Sequence, residues 1–371
     1  MSVAFDSDVT LTVEAAFGYA PLATPTWTDI SAYARSLVIK RGRSHELDQV
    51  SASTLNMVLS NDDGRFDPTY TTGAYYPNVV PMVPVRVRAA YSAVTYDLFR
   101  GFVEAWPQDW PAFKDATVKL RAVDAFKLLR RIYTNTAEVQ ESSGTRIGNL
   151  LDDASWPAGW RDLATGDVTV AAYTPNCQDV LSLIRQVEKT EGGLFFIAGD
   201  GDATFQDQTH RAALSSSATF GDSGAELRYA GLTLGYDDHQ IWNRVEVQPE
   251  GGATQSAEDA TSISAYAKRT LKIHDTLHIS GATALTFAQT IRDRYKDPHV
   301  RIDSITMTPR RDPSGLWPEA LGAELSDKYT VTRRPPAGNT ITTQVYVEGI
   351  DHRVNAADKS WTTSFNLSQY D

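Results

Sequence analysis

The sequence predicts a β-rich α+β fold organised around two similar small antiparallel β-barrels. Two observations point there. Most of the 371 residues fall in segments that alternate apolar and polar side chains, the pattern of a strand with one face buried and one face wet. A weak internal repeat also links the first third of the chain to its end: "YPNVVPMVPVRVR", "LFRGFVEAWPQDW" and "ATVKLRAVD" follow the same order as "WPEALGAELSDKYTV", "QVYVEGIDHRV" and "WTTSFNLSQYD". Pro77 matches Pro318, Val103-Glu104 matches Val347-Glu348, and Leu120 with Asp124 matches Leu367 with Asp371, at offsets drifting from 241 to 247 residues. Each copy has an aromatic-proline lead-in, a strand, a hairpin running into Val-Glu and a last alternating strand. Solenoid repeats are short and contiguous, so two distant copies indicate two like units with other material between them.

In chain order, Val9, Leu11, Val13 and Ala15 form the first alternating set, followed by Leu55, Met57 and Leu59. Val85, Val87 and Ala89 come next, then Val118, Leu120 and Ala122. Asp124 can cap a short helix carrying Phe126, Leu128 and Leu129. The segment "TPNCQDVLSLIRQVEKTEGG" is the best helix, with Asn176 as N-cap, Asp179 in the first turn, one face of Val180, Leu183, Ile184 and Val187, and Gly192 as its stop. "FFIAGDGDATFQ" reads as a hairpin turning at Gly199 to Asp202. A last helix over 282–296 stripes Ala284, Phe287, Ala288, Ile291 and Tyr295 and ends before Pro298.

Composition limits the function classes. With a net charge of −11, the chain does not resemble a protein that grips phosphate backbones through clustered Lys and Arg. Its single cysteine, Cys177, excludes an internal disulfide and a cysteine-based zinc site, which fits synthesis in a reducing cytoplasm. The first twenty residues carry Asp6, Asp8 and Glu14 without a basic start or an apolar stretch, so no secretory signal is expected. No apolar run reaches the roughly 20 residues of a spanning helix.

Several motifs invite chemistry. "NDDG" at Asn61 to Gly64 puts Leu59 and Tyr70 where a calcium loop needs oxygen ligands, so it reads as a turn. "GDSG" at Gly221 to Gly224 lacks a recognisable base and orienting acid and reads as a turn before a strand at Glu226. Cys177, at the expected start of a helix, would have a lowered thiol pKa but no identifiable histidine partner. His274 and His278 lie on a strand-like segment without a third ligand. Trp27, Trp106, Trp110, Trp242 and Trp317 border expected strands, where cores and corners use aromatics. No catalytic, cofactor or metal site follows from these residues.

The first third resembles a known family. Asp29-Ile30, "RGR" at Arg41 to Arg43 with Glu46 and Leu47, "NDDGRFDP" at Asn61 to Pro68, "YYPN" at Tyr75 to Asn78, "PVRVR" at Pro84 to Arg88 and "FRGFVE" at Phe99 to Glu104 together resemble the tail hub (baseplate hub, or minor tail) proteins of long-tailed bacteriophages, especially those of actinobacterial hosts. The resemblance implies two similar barrels plus two α+β domains per chain. It places the first barrel at 1–124, an α+β domain at 125–235, a split second barrel at 236–252 and 309–371, and an α+β insertion at 253–308.

It further implies a non-enzymatic structural homotrimer at the virion tail tip, made in the host cytoplasm. Its six barrels would join a hexameric tube or distal tail ring to a threefold tip and form part of the DNA ejection conduit, with DNA as non-specific cargo. The partners implied are the distal tail protein or tube ring, the tape measure protein and other tip proteins. Arg41, Arg43, Asp63, Arg65, Phe66, Tyr75 and Tyr76 are the expected assembly contacts. Two other readings remain: a virion-borne wall hydrolase centred on Cys177, and a host-glycan binder acting through Tyr70, Tyr75 and Tyr76.

Overall fold

The strands belong mostly to one sheet. In the computed structural model, which describes residues 3–4, 9–113 and 115–369, the first copy supplies β1 (Val9–Ala15), β2 (Ala34–Gly42), β3 (Ser51–Ser60), β4 (Pro84–Tyr91), β5 (Val94–Ala105), β6 (Gln108–Ala112) and β7 (Asp115–Val123). The middle of the chain supplies α1 (Ser143–Asp153), α2 (Val180–Glu191), β8 (Leu194–Ile197), β9 (Ala203–Gln206), β10 (Gly231–Gly235), β11 (Arg244–Pro249), β12 (Gln255–Glu258), β13 (Thr270–Thr276) and α3 (Gly281–Tyr295). The last part supplies β14 (Arg301–Met307), α4 (Pro313–Gly322), β15 (Lys328–Arg333), β16 (Ile341–Asn355) and β17 (Ser360–Gln369).

The repeat reappears as hydrogen-bonded order. In the first copy the antiparallel ladder runs β4-β5-β7-β3-β2, and in the second it runs β15-β16-β17-β14-β10. The registers fix the correspondence. Val103 opposes Ala122 as Val347 opposes Leu367, and Gln108 opposes Val118 as His352 opposes Thr363. Ala122 therefore stands where Leu367 does, and Leu120 stands where Phe365 does, a shift from the sequence match. Asp371, the expected counterpart of Asp124, lies outside the described residues. Both copies carry a β-bulge at the Val-Glu pair, between Val103 and Ala105 and between Val347 and Gly349. An extra residue there bends the strand and re-aims one side chain.

Neither copy closes on itself through ladders among the described residues: β1 pairs with β4 and the short strand Thr28–Asp29, while β2 pairs with β3 and with β16. That last pairing, Gly42 opposite Gly349 through Ser36 opposite Asn355, fuses the two copies into one sheet of 16 strands. Gly42 makes the approach possible. Its φ is +88°, and a Cβ there would sit 2.2 Å from the Glu348 carbonyl oxygen.

Ladders also move two expected boundaries. β11 pairs with β12 and β13 in a separate three-stranded sheet covered by α3, through Val245, Val247, Ala257, Ala284 and Ala288. β14 pairs with β17 and β10 rather than with that insertion. The β8–β9 hairpin forms with the expected turn and takes Arg161–Leu163 as a parallel third strand, under α1 and α2.

Helix α2 begins three residues later than Asn176 implies: Asp179 is its N-cap, accepting the Ser182 N–H at 2.9 Å, and Gly192 ends it at φ +71°. The expected helix over 282–296 is present, opened by a capping box at Ser280 and Thr283. Trp317 lies within α4, not beside a strand. With Leu321, Val354 and Trp361 it fills the core of the first copy, among Val13, Leu37 and Val87. Trp317 meets Trp361 edge to face at 5.2 Å.

Candidate assembly site

The bulge glutamates differ sharply in surroundings. Glu104 is exposed and pairs with Lys127 at 2.9 Å. Glu348 is 1% exposed. It accepts hydrogen bonds from Arg43 Nε at 2.6 Å, Arg211 Nη1 at 2.5 Å and Nη2 at 3.1 Å, and Ser368 Oγ at 2.5 Å. Burial pushes its carboxyl up, but Arg211 and Arg43, by charge and hydrogen bonding together, hold it well below the usual carboxylate range. An ionised carboxylate with its lone pairs so occupied is a clamp and not a proton acceptor at neutral pH.

The clamp extends across the chain. Arg211 donates from Nε to Ser326 Oγ at 3.0 Å and lies over the Tyr346 ring at 5.0 Å. Glu46, 3.9 Å from Arg211, accepts from Tyr295 OH at 2.6 Å and pairs with Arg294 at 2.9 Å. Five segments therefore converge: the residues just after β2, the short helix bearing Arg211, the end of α3, the turn of Ser326 before β15 and the β16–β17 pair. Beside them opens a cleft of about 970 Å³ whose walls include Glu188, Lys189, His274 and Phe287. Burial pushes the Glu188 carboxyl up to about 7, and Oε1 accepts the Phe195 N–H at 2.9 Å. Sequence reasoning paired Glu348 with Glu104 but carried no sign of its burial or of Arg211, which lies on a short helix His210–Ala213 without strand or helix period in its surroundings.

The expected contact residues separate into two groups. Arg41 is 6% exposed and binds Glu324 Oε1 at 2.5 Å and the Ile197 carbonyl at 3.3 Å. Arg43 is in the clamp. Phe66 is fully buried, stacked on Trp106 at 5.9 Å. These three hold the chain to itself. Asp63, Arg65, Tyr75 and Tyr76 lie on the excursion between β3 and β4. Gly64 turns it at φ +72°, Arg65 is forked onto Asp63 and lies 3.9 Å above the Tyr33 ring, and Tyr75 stacks on Phe17 at 4.1 Å. Tyr70 and Tyr76 are 46% and 43% exposed.

The other motifs occupy ordinary places. Cys177 is exposed and precedes the α2 cap, with φ +51° and its N–H donated to Asn135 Oδ1 at 2.6 Å. The helix terminus expected to activate it starts beyond it. Ser223 donates its N–H to Glu226 Oε2 at 2.9 Å in a turn before the strand Leu227–Arg228. His278 is buried against Phe287, which pushes its ring down to about 4, while His274 ends on the cleft wall.

Neither a family profile nor a curated protein matches the sequence. Solved structures do match its shape. A tail protein from Neisseria meningitidis MC58 superposes with a TM-score of 0.66 at 12% identity, over 97% of each chain. The 43 kDa tail protein of prophage MuSo2 from Shewanella oneidensis superposes at 0.62 with 11% identity, over 98% of this chain and 97% of its own. An Escherichia coli component of the type VI secretion system, described as structurally similar to the T4 bacteriophage tail proteins gp27 and gp5, superposes at 0.52 with 12% identity, over 91% of this chain and 74% of its own. Along nearly its whole length, the chain has the fold of phage tail proteins.

Proposed function

We propose that this protein is a structural hub of a phage tail tip, a ring of three chains in which two like units per chain present six similar surfaces to a hexameric tube. The observation that carries this reading is the duplicated five-strand ladder with its shared bulge. A threefold ring of chains has closed symmetry, and duplication within each chain doubles the number of near-equivalent faces. The fold shared with tail proteins supports the same reading.

On this reading the two ladders and their caps are the two barrels, and the α2 and α3 regions are the α+β parts between them. The surface residues Asp63, Arg65, Tyr75 and Tyr76 contact a neighbouring tail protein, and Arg41, Arg43 and Phe66 hold the unit that presents them. The net charge of −11 suits a conduit that lets DNA pass without gripping it. The exposure of Tyr70 and Tyr76 favours one second reading, host-glycan contact, which a glycan array tests. The hub reading is tested by light scattering of the purified chain: a molar mass three times the 40.8 kDa of one chain is expected, and a monomer at micromolar concentration overturns it.

A further inference from the structure

The two copies are alike except along one edge. In the second copy, the C-terminal half of β16 has β17 on one side and β2 on the other. In the first copy, the matching strand is β6, which pairs with β7 alone among the described strands. The edge that β2 fills in one copy is open in the other.

The strand matching β2 is β10, and its outer edge is also open: among the described strands β10 pairs with β14 alone. Its register identifies it. Leu37 opposes Met57, which opposes Leu120; Leu232 opposes Ile305, which opposes Phe365, the counterpart of Leu120. Leu232 thus stands where Leu37 does, and Thr233 where Val38 does. Among the described residues each chain therefore carries one filled junction, one empty acceptor edge and one unused donor strand.

The acceptor edge is chemically fit for pairing. On the filled junction Arg43 N–H donates to the Glu348 carbonyl and Ala356 N–H to the Arg35 carbonyl, so the even-numbered residues of β16 face β2. Their counterparts are Trp106 and Gln108, up to a register shift between Asp109 and Ala112 within which Trp110 lies. Pro107 falls on the other parity, its carbonyl accepting from Lys119 of β7, while Pro111 lies within that register shift. Up to Asp109 the open edge thus turns no proline outward, and the register shift that follows ends the regular part of the edge. Apolar side chains are exposed on both strands or beside them, with Trp110 at 69%, Leu234 at 40% and Tyr236 at 65%, which is the pattern of an unfilled contact.

We infer that β10 of one chain adds to β6 of a second copy, repeating between chains the junction that β2 and β16 make within one. Strand addition of this kind draws affinity from main-chain hydrogen bonds. The contact is head to tail, so it generates a ring in which intrachain and interchain junctions alternate. The inference rests on the trimeric reading above and names the strands that join its chains. The equivalences set the register: Val38 opposes Arg353 and Ile39 opposes His352, so Thr233 should oppose the second copy's Asp109, and Leu234 its Gln108, ahead of the register shift that holds Trp110. The Val38–Arg353 pair lies between hydrogen-bonded pairs, where side chains approach most closely and a disulfide fits.

The test uses the full chain with Cys177→Ser, Thr233→Cys and Asp109→Cys, mildly oxidised and run without reductant beside a light-scattering measurement. Covalent dimers and trimers that neither single-cysteine variant gives to more than a tenth of that yield are expected. A non-covalent trimer that fails to cross-link between chains overturns the strand pairing and leaves the hub reading intact; a monomer overturns both. Trp110→Lys, at an exposed site, is a second measure. It should raise the concentration for half-assembly at least tenfold with the thermal unfolding of the separated chain unchanged, and an unaltered assembly curve counts against the pairing.

Discussion

Glu348 and Asp124 are both enclosed carboxylates, yet their neighbours set them in opposite directions. Glu348 faces two guanidinium groups, so its folded pKa lies below the unfolded value and its contribution to stability is present above that value and lost in acid. Removing the carboxylate leaves Arg43 and Arg211 charged and partly buried. Glu348→Ala should therefore cost about 3–5 kcal/mol in a urea unfolding series at pH 7. Asp124 is 1% exposed and accepts the backbone N–H groups of Ser53 at 2.6 Å and Phe126 at 3.0 Å, together with the Ser53 side chain. Burial outweighs them and pushes its carboxyl up to about 6. A raised pKa reverses the sign: its contribution is complete below the unfolded value and is lost as pH rises through about 6. Relative to Asp124→Asn, the wild type should lose about 2 kcal/mol between pH 4 and pH 7; parallel pH profiles for the two proteins would contradict this. Asp124 was expected to cap the short helix, but the N-cap position is Ala125, and Asp124 instead accepts the Phe126 N–H two residues on. Glu348 was legible only as half of a repeated Val-Glu pair, since burial of a glutamate depends on distant Arg211.

Elements were readable where one face is wet. β3 and β7 alternate cleanly because solvent covers one side, and the 282–296 stripe marks α3 for the same reason. α1 was not expected, because "SGTRIGNLLDD" mixes two glycines with only three strongly apolar residues. α4 was read as a strand lead-in, since its Pro318 and its buried Trp317 follow the aromatic-proline grammar of the first copy. The start of α2 shows how capping resolves at the level of one side chain: Asn176 and Asp179 are both competent caps, and the chain uses the one whose carboxylate reaches Ser182. Asp179→Ala should lower stability by about 1 kcal/mol in thermal unfolding, with Asn176→Ala close to neutral. Equal effects would place the cap wrongly.

At the scale of the molecule, the repeat was visible in the sequence and its consequence was not. Pairing of β2 with β16 joins residues more than three hundred positions apart, and nothing in either strand's own pattern specifies that partner. The seam and the α4 side chains make the copies one cooperative body. Trp317 is fully buried, and Trp317→Ala should cost about 3–5 kcal/mol. Calorimetry should show the single transition moving to lower temperature; two resolved transitions would mean that the copies unfold separately.

The crossing of Trp317, Val354 and Trp361 into the first copy's interior also bears on synthesis. As the first copy leaves the ribosome it has its own strands but lacks the side chains that complete its centre, which lie far downstream of those strands. Native packing of that copy must then wait until Trp317, Val354 and Trp361 have been made, and a product terminated before them would leave an apolar cavity mouth open to chaperones and proteases.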